Sequence, residues 1–252
     1  MSIETHTITD RKSARELLKR MEAWVAADTR VRLEVALPAS VPAGPWDELA
    51  WMDDVPQLEL ILAGRPDRPA VMDGLPLALC ARRVTLRDVV ITGNHSGAPA
   101  LQILASEAVT LERVALVGNT IRSRQRGGDP SKARKAEPMV QFGPFLDGRA
   151  RGVTVRLDDV WFVGNRSHGG DMGHLLSSGV QSSRLRVGRI GVVDNDAGLD
   201  LHLEGARVES ALVRDHRGTI TLSSDVRTYD AADNSLPFLM ELAESAAPVP
   251  GP

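Results

Sequence analysis

The chain has 252 residues, 42% apolar and 25% charged, with 30 Lys and Arg against 33 Asp and Glu for a net charge of -3. That length buries a sizeable core in one large domain or two small ones, and the near-neutral balance excludes a chain built as a whole to bind nucleic acid or an anionic membrane. No apolar run approaches the ~20 residues that span a bilayer, and no basic segment leading into an apolar one follows Met1, so no secretion signal is read and a cytoplasmic location is expected.

The first predicted element is an amphipathic helix over Asp10 to Ala27. Ala14, Leu17, Leu18, Met21, Trp24 and Val25 fall on one stripe at helical spacing, and Asp10 suits the N-cap. A strand over Val31 to Val35 follows. Pro38 to Pro56, with four prolines, Trp46 and Trp51, reads as a loop with a short helix near the tryptophans. Leu58 to Leu62 and Pro69 to Leu79 read as an opening coil of short strands. The single cysteine, Cys80, has no disulfide partner and is expected as a buried thiol, because free Cys packs as a small hydrophobe.

An eleven-residue phrase then recurs. Val84 to Asn94 reads VTLRDVVITGN and Val109 to Asn119 reads VTLERVALVGN. Val155 to Asn165 reads VRLDDVWFVGN, with weaker copies at Leu185 to Asn195 and Ala206 to His216. Each phrase has two alternating segments joined at a bend, such as Arg87-Asp88, and period-two alternation is the strand signal. The closing Gly-Asn fits a tight corner. Asn tolerates the left-handed backbone region, and its amide can hydrogen-bond along a stack. Asn94, Asn119, Asn165 and Asn195 would then form one ladder, as in other in-register stacks, with His216 in the slot that follows. A third strand is expected after each corner, at Ala100–Leu104, Met139–Phe142, His174–Ser177, Gly198–Leu203 and Gly218–Leu222. The copies start at 84, 109, 155, 185 and 206, so one coil carries a long insertion.

The phrase, the asparagine corner and the Arg68 to Gly74 entry (RPAVMDG) resemble the pectate-lyase-like superfamily over about residues 57 to 225. The resemblance implies an all-β fold, a right-handed single-stranded parallel β-helix. The amphipathic helix in residues 1–30 would cap its open end, since a solenoid needs capped ends. Residues 31–225 would form the β-helix with a basic insertion at 120–138, and 226–252 a C-terminal cap and frayed tail. That superfamily spans lyases, hydrolases, epimerases, esterases and non-catalytic spikes, so the fold does not give the activity. The ordered Asn-Thr-Asp, Asp-Asp, Gly-His-Gly and Arg-Ile-Lys pattern of its polygalacturonase-like members is not met. Asp158-Asp159 lies inside a repeat phrase, and Ser167-His168-Gly169 matches only loosely.

Candidate chemistry follows from alternation on the third strand. Leu199, Leu201 and Leu203 are expected inward, leaving Asp200 and His202 outward. Neighbouring coils offer Gln102, Gln141, His174 or Ser177, and Thr219 or Thr221, one or two rungs of ~4.8 Å away. The insertion carries Arg122, Arg124, Arg126, Lys132, Arg134 and Lys135 against Asp129 and Glu137. It reads either as a solvated loop or as a lid that brings guanidinium groups to an anion. The turn Ser167 to His174 packs His168, Asp171 and His174 among three glycines and reads either as a polar turn or as acid–base machinery. A metal set of His168 and His174 with Asp171 or Asp200 matches no tight zinc spacing, and neither a metal nor a cofactor is expected.

The leading expectation is proton-transfer chemistry (elimination, epimerisation, isomerisation or cyclisation) on a small or peptidic anion. His202 and His174 would exchange protons and Asp200 would orient them. Gln102, Gln141, His168 and Asp171 would bind substrate, and Arg122, Arg124 and Arg126 would neutralise it. One alternative is a non-catalytic scaffold or protein-binding module. Another is a carbohydrate-active lyase or hydrolase, which would want aromatics on that face. Without interleaved aromatics in the basic insertion no nucleic-acid partner is expected, and no membrane partner either.

Overall fold

The computed structural model describes residues 2–7, 11–26, 30–41, 58–122, 138–143, 153–168, 175–178, 185–197, 199–200, 207–215, 217, 220–221 and 227–228. In chain order the elements are β1 (Ser2–Thr7), α1 (Arg11–Ala26), β2 (Val31–Ala36), β3 (Ser40–Val41), β4 (Leu58–Ala63), β5 (Ala70–Asp73), β6 (Leu77–Thr92), β7 (His95–Ser96), β8 (Leu101–Val117), β9 (Thr120–Arg122), β10 (Val140–Gly143), β11 (Thr154–Val163), β12 (Arg166–His168), β13 (Leu176–Ser178), β14 (Leu185–Val193), β15 (Leu199–Asp200), β16 (Arg207–Arg214), β17 (Ile220–Thr221) and β18 (Arg227–Thr228). The structure is all-β apart from α1. Every pairing between named strands among the described residues is parallel, and the main path runs β1-β2-β4-β6-β8-β11-β14-β16-β18. No helix of the described residues is long and apolar enough to cross a membrane.

Successive turns of chain pair in register, so each turn is a rung on the one before. Four legs make up a turn. Leg D is 77–81 in β6, 101–105 in β8, then β10 and β13; leg A is 83–87, 108–112 and 154–158. Leg B is 89–92, 114–117, 160–163 and 190–193; leg C is the short set β7, β9 and β12. Alternation decides which residues turn inward. Leu62, Leu86, Leu111, Leu157, Val187 and Val208 form one apolar column on leg A, all in one buried cluster with the inward residues of legs B and D. A one-residue slip would put a whole column on the outside, so apolar burial holds the register.

The corners carry the polar chemistry. Between legs B and C, the Asn94 Nδ2 donates to Asn119 Oδ1 at 3.1 Å, Asn119 to Asn165 at 3.1 Å, and Asn165 to Asn195 at 2.9 Å. Each accepting oxygen also takes the backbone N–H of the preceding asparagine, at 2.9–3.1 Å. The second amide hydrogen of Asn119 goes to Ile91 O, that of Asn165 to Leu116 O and that of Asn195 to Phe162 O. All four asparagines are buried. A side-chain amide has two donors and two acceptor sites, and at Asn119 and Asn165 all of them are used.

Between legs A and B the corner residues are Asp88, Arg113, Asp159 and Arg189. Arg113 grips Asp88 bidentately at 2.6 and 3.0 Å, and Arg189 grips Asp159. Asp88, Arg113 and Asp159 have φ of 54°, 52° and 57°. Asp visits that region with little strain but Arg does not, and the Asp88 pair offsets the cost at Arg113. The hydrogen bonds that Arg113 donates to Asp88 raise its pKa above the ordinary arginine value, against desolvation. Between legs D and A, Glu107 takes Arg83 at 2.7 Å and Arg82 at 3.2 Å.

Four sequence expectations change. The left-handed residue of the asparagine corner is the one before Asn, namely Gly93, Gly118, Gly164 and Asp194, with Asp215 in the same place before His216; the asparagines act through their amides. A fourth leg, C, sits between the corner and the expected third strand, and Ser167 and His168 belong to it rather than to a turn. β1 was not expected, because SIETHT shows no apolar alternation. Its Glu4 and His6 pair with Leu33 and Val35, on the inward side, where Arg20 of α1 bonds both. Cys80 is half-buried, out of phase with the inward Leu79 and Ala81, rather than in the core. The helix itself matches its expected span and buries Leu17 and Met21 in the main core. Of the loop expected over Pro38 to Pro56, Ser40–Val41 form a strand paired with β5, and 42–56 lie outside the described residues.

Removing one ladder amide leaves buried donors and acceptors on both neighbouring rungs unpaired. Asn119→Ala is therefore expected to cost about 3–5 kcal/mol by urea denaturation, from two or more orphaned groups at about 1–3 kcal/mol each. A loss below about 1 kcal/mol would rule out the ladder as a principal stabiliser.

The Arg83 hydrogen bond, opposed by partial desolvation and helped by Arg82, holds the Glu107 carboxyl below its ordinary 4.5. A carboxyl lowered in the folded state contributes stability that is complete above its unfolded value and is lost as pH falls through the folded one. Glu107→Gln should then be less stable at pH 7 but decline less steeply than the parent between about pH 5 and pH 3. Parallel decline of the two proteins in a pH series of urea melts would exclude this contribution.

Candidate functional site

Leg D presents the face that alternation assigns to ligand binding. Leu77, Leu101, Val140 and Leu176 form its inward column, and the next residues, Ala78, Gln102, Gln141 and Ser177, stand in register beside them. Gln102 Nε2 donates to Gln141 Oε1 at 2.8 Å, and both side chains are half-buried. This is a two-rung amide ladder, the outer counterpart of the asparagine one. It leaves the N–H groups of Gln141 without a partner among the described residues. Of the two residues expected beside Gln141, the register places Ser177 there.

The other expected site residues fall into two groups. Arg122 ends β9 and His168 ends β12, and the two are partners in the leg C register. Asp200 pairs with Thr221 between β15 and β17. Asp171, His174, His202, Arg124 and Arg126 lie outside the described residues. The structure thus brings together Gln102 with Gln141, and Arg122 with His168.

What joins the two pairs is the path of the chain. The basic insertion departs after Arg122 and the His168–His174 turn after His168, on adjacent rungs. The chain returns at Met139 and at Leu175, again on adjacent rungs, where Val140 N donates to Leu175 O at 3.0 Å. Both excursions therefore start and end on neighbouring rungs, directly before the column of Gln141 and Ser177. The segments between these points, 123–137 and 169–174, lie outside the described residues; in sequence the first carries five Arg and Lys after Arg122 and the second Asp171 and His174 after His168.

Elsewhere several charged side chains are occupied with one another. Arg166 holds the Asp194 carboxylate at 3.1 and 3.2 Å, and Arg113 bonds Glu112 as well as Asp88. A histidine–carboxylate contact does occur, His6 with Glu4 at 3.5 Å, but at the N-terminal end and far along the stack from Gln141. The Asp88–Arg113–Asp159–Arg189 row was not singled out from sequence. Its signal is the fifth residue of the first four phrases, which alternates Asp, Arg, Asp, Arg once the copies are aligned, before Ser210 in the last. The described residues hold no group of three or more His, Cys, Asp or Glu able to hold a metal. Compared with known proteins, the chain matches no protein-family model, no curated protein and no solved structure.

The direction of the glutamine bond makes two similar substitutions unequal. Gln141→Glu keeps an acceptor opposite Gln102 Nε2, whereas Gln102→Glu sets a carboxylate against the Gln141 carbonyl. Gln102→Glu should therefore cost about 1 kcal/mol more than Gln141→Glu in chemical denaturation. Equal costs would mean that the bond is not held in this direction, because a Gln141 amide turned over donates to the new carboxylate.

Proposed function

We propose that the chain is a right-handed, single-stranded parallel β-helix of the pectate-lyase-like kind, capped by α1, that binds a small or peptidic anion on the outer face of leg D. The reaction we propose there is proton transfer at carbon: elimination, epimerisation, isomerisation or cyclisation. Arg122, Arg124 and Arg126 neutralise the anion, and Gln102, Gln141, His168 and Asp171 orient it. His174 and His202 exchange protons, with Asp200 orienting an imidazole, because an imidazole titrates near neutral pH. We place this activity inside the cell.

The observation that carries the reading is the common origin of two excursions. A basic insertion and a histidine-rich turn leave and re-enter on adjacent rungs, beside the half-buried Gln102–Gln141 amide pair. The parallel stack supports the β-helix, and the burial of Leu17 and Met21 in the main core supports the cap. A second reading, a non-catalytic binding module, is favoured by the number of charged side chains that bond one another across rungs.

Binding and chemistry separate in one experiment. The full chain is titrated with succinate, citrate, inorganic phosphate and a glutamate-rich peptide, alongside a variant with Arg122, Arg124 and Arg126 all changed to Ala. At least one anion should bind to the parent and not to the variant. The bound anion is then incubated with protein in D2O and its carbon-bound hydrogens are followed by proton NMR. Enzyme-dependent exchange should fall about 100-fold or more in His174→Ala or His202→Ala while binding persists. Binding without exchange would leave the module reading, and binding that the triple variant retains would remove the site from this corner.

A further inference from the structure

Leg A carries a row of three like charges, against the pattern of other charged columns in the stack. Parallel pairing sets equivalent residues side by side, and like charges directly opposite destabilise a sheet. Several columns accordingly alternate in sign. Arg32, Glu59 and Arg83 follow one another on leg A, and Arg166, Asp196 and Arg217 on leg C. Glu112 does stand beside Asp158, but each has its own cation. Arg113 bonds Glu112 at 2.6 Å and Arg156 bonds Asp158 at 3.1 Å.

Three successive rungs depart from this. Arg156 pairs with Arg186, and Arg186 with Arg207, in one register. Val155, Leu157, Leu185 and Val187 lie in the main core, so alternation turns Arg156 and Arg186 to the outer face, where both are exposed. Two residues further along, the three rungs read Asp158, Gly188 and Glu209. The outer rungs therefore carry Arg-x-acid and the middle one Arg-x-Gly. Two acids accompany three arginines, and the missing one is that of Arg186. Among the described residues no acid pairs with Arg186. Asp158 leans towards this rung, since a Cβ on Gly188 would fall 2.7 Å from its Oδ1, but the cation it pairs with is Arg156. A row that opposes the stacking rule and packs nothing into the core is the kind of local conflict that marks a functional surface.

We propose that Arg156, Arg186 and Arg207 bind an acidic, extended peptide segment of a partner protein, laid across the rungs of leg A. The neighbouring rungs define the chemistry of the ligand, because the group that the middle rung lacks is a carboxylate. Guanidinium groups grip carboxylates through paired hydrogen bonds. Length comes next. Two rung steps of ~4.8 Å span ~10 Å, which three residues of extended chain cover at ~3.3 Å each and a single small anion does not.

The flanking acids select a peptide among polyanions. Peptide N–H groups can donate to Asp158 and Glu209 while side-chain carboxylates take the guanidinium groups. A phosphodiester backbone has no such donors and meets both acids as like charges. Residues 154–158, 185–188 and 207–210 also include no aromatic on which a base could stack. The site shares no residue with the ligand reading on leg D and does not depend on it.

The test mixes the full chain with a peptide of alternating Glu and Asp that carries p-benzoylphenylalanine at its centre, then irradiates at low salt. Adducts on stretches containing 154–158 or 185–188 are expected on mass spectrometry, with a yield that falls as salt rises. In Arg186→Ala these adducts should fall about tenfold or more, for want of one charge-assisted contact. The same variant should unfold in urea no earlier than the parent, because repulsion from Arg156 and Arg207 is relieved; a structural arginine would show the reverse. Adducts confined to 101–104, 120–122 or 140–143 would belong to the leg D ligand and overturn this inference while leaving that one standing. No adduct at all, or an unchanged yield in Arg186→Ala, also overturns it. Stronger competition by oligothymidylate than by unlabelled peptide of equal charge would overturn it in favour of a phosphate chain.

Discussion

A buried primary amide must find four hydrogen bonds or lose stability, and the corner asparagines meet that demand only when successive turns stack in one register. Asn119 is bound above by Asn94, below by Asn165 and sideways by Ile91 O. A slip of one rung position breaks several of these bonds together, in a setting where each orphaned group costs about 1–3 kcal/mol. The ladder is indifferent to how the chain travels between corners. Sequence separations of 25, 46 and 30 residues end in the same geometry. Loop closure grows only with the logarithm of loop length, so one turn can carry a long insertion at small cost while the corner holds its place. This is how the fold can present variable excursions on a constant frame.

The parallel stack imposes a second rule, visible at the A–B corner. Parallel pairing brings equivalent residues face to face. An amide is donor and acceptor at once, so identical asparagines suit one another. Identical charges do not, since like charges directly opposite destabilise a sheet. The corner accordingly alternates Asp88, Arg113, Asp159 and Arg189, and two of its acids are nearly as buried as the core. The amide ladder and the ionic row thus solve the same stacking problem with different chemistry. Both consume polar groups for structure, which is why charge on this molecule is a poor guide to function until its partners are known.

What remains for function lies where these structural demands end. On leg D the residues next to the inward column are Ala78, Gln102, Gln141 and Ser177, none of them charged, and the two glutamines bond one another. On leg B the outer column is apolar and closed to water around Trp161. The glutamines spend part of their amide groups on each other, whereas the outer leg B column is apolar and buried.

The order of residues alone determined the repeat, the parallel stacking of its copies, the span of the helix and the asparagine ladder. Each depends on side-chain period and on residue identity at a fixed offset, both of which survive in one dimension. The alternating charge row was equally legible, at the fifth residue of each phrase, but requires knowing that equivalent positions meet. The tertiary structure decided the rest. It put the left-handed backbone on Gly93 rather than Asn94, because the amide must turn inward to reach its neighbours. It added β1, whose polar SIETHT pairs only because β2 offers an edge and Arg20 satisfies Glu4 and His6. It also buried Trp161 on an outward position, since alternation says which way a side chain points but not how far it is buried.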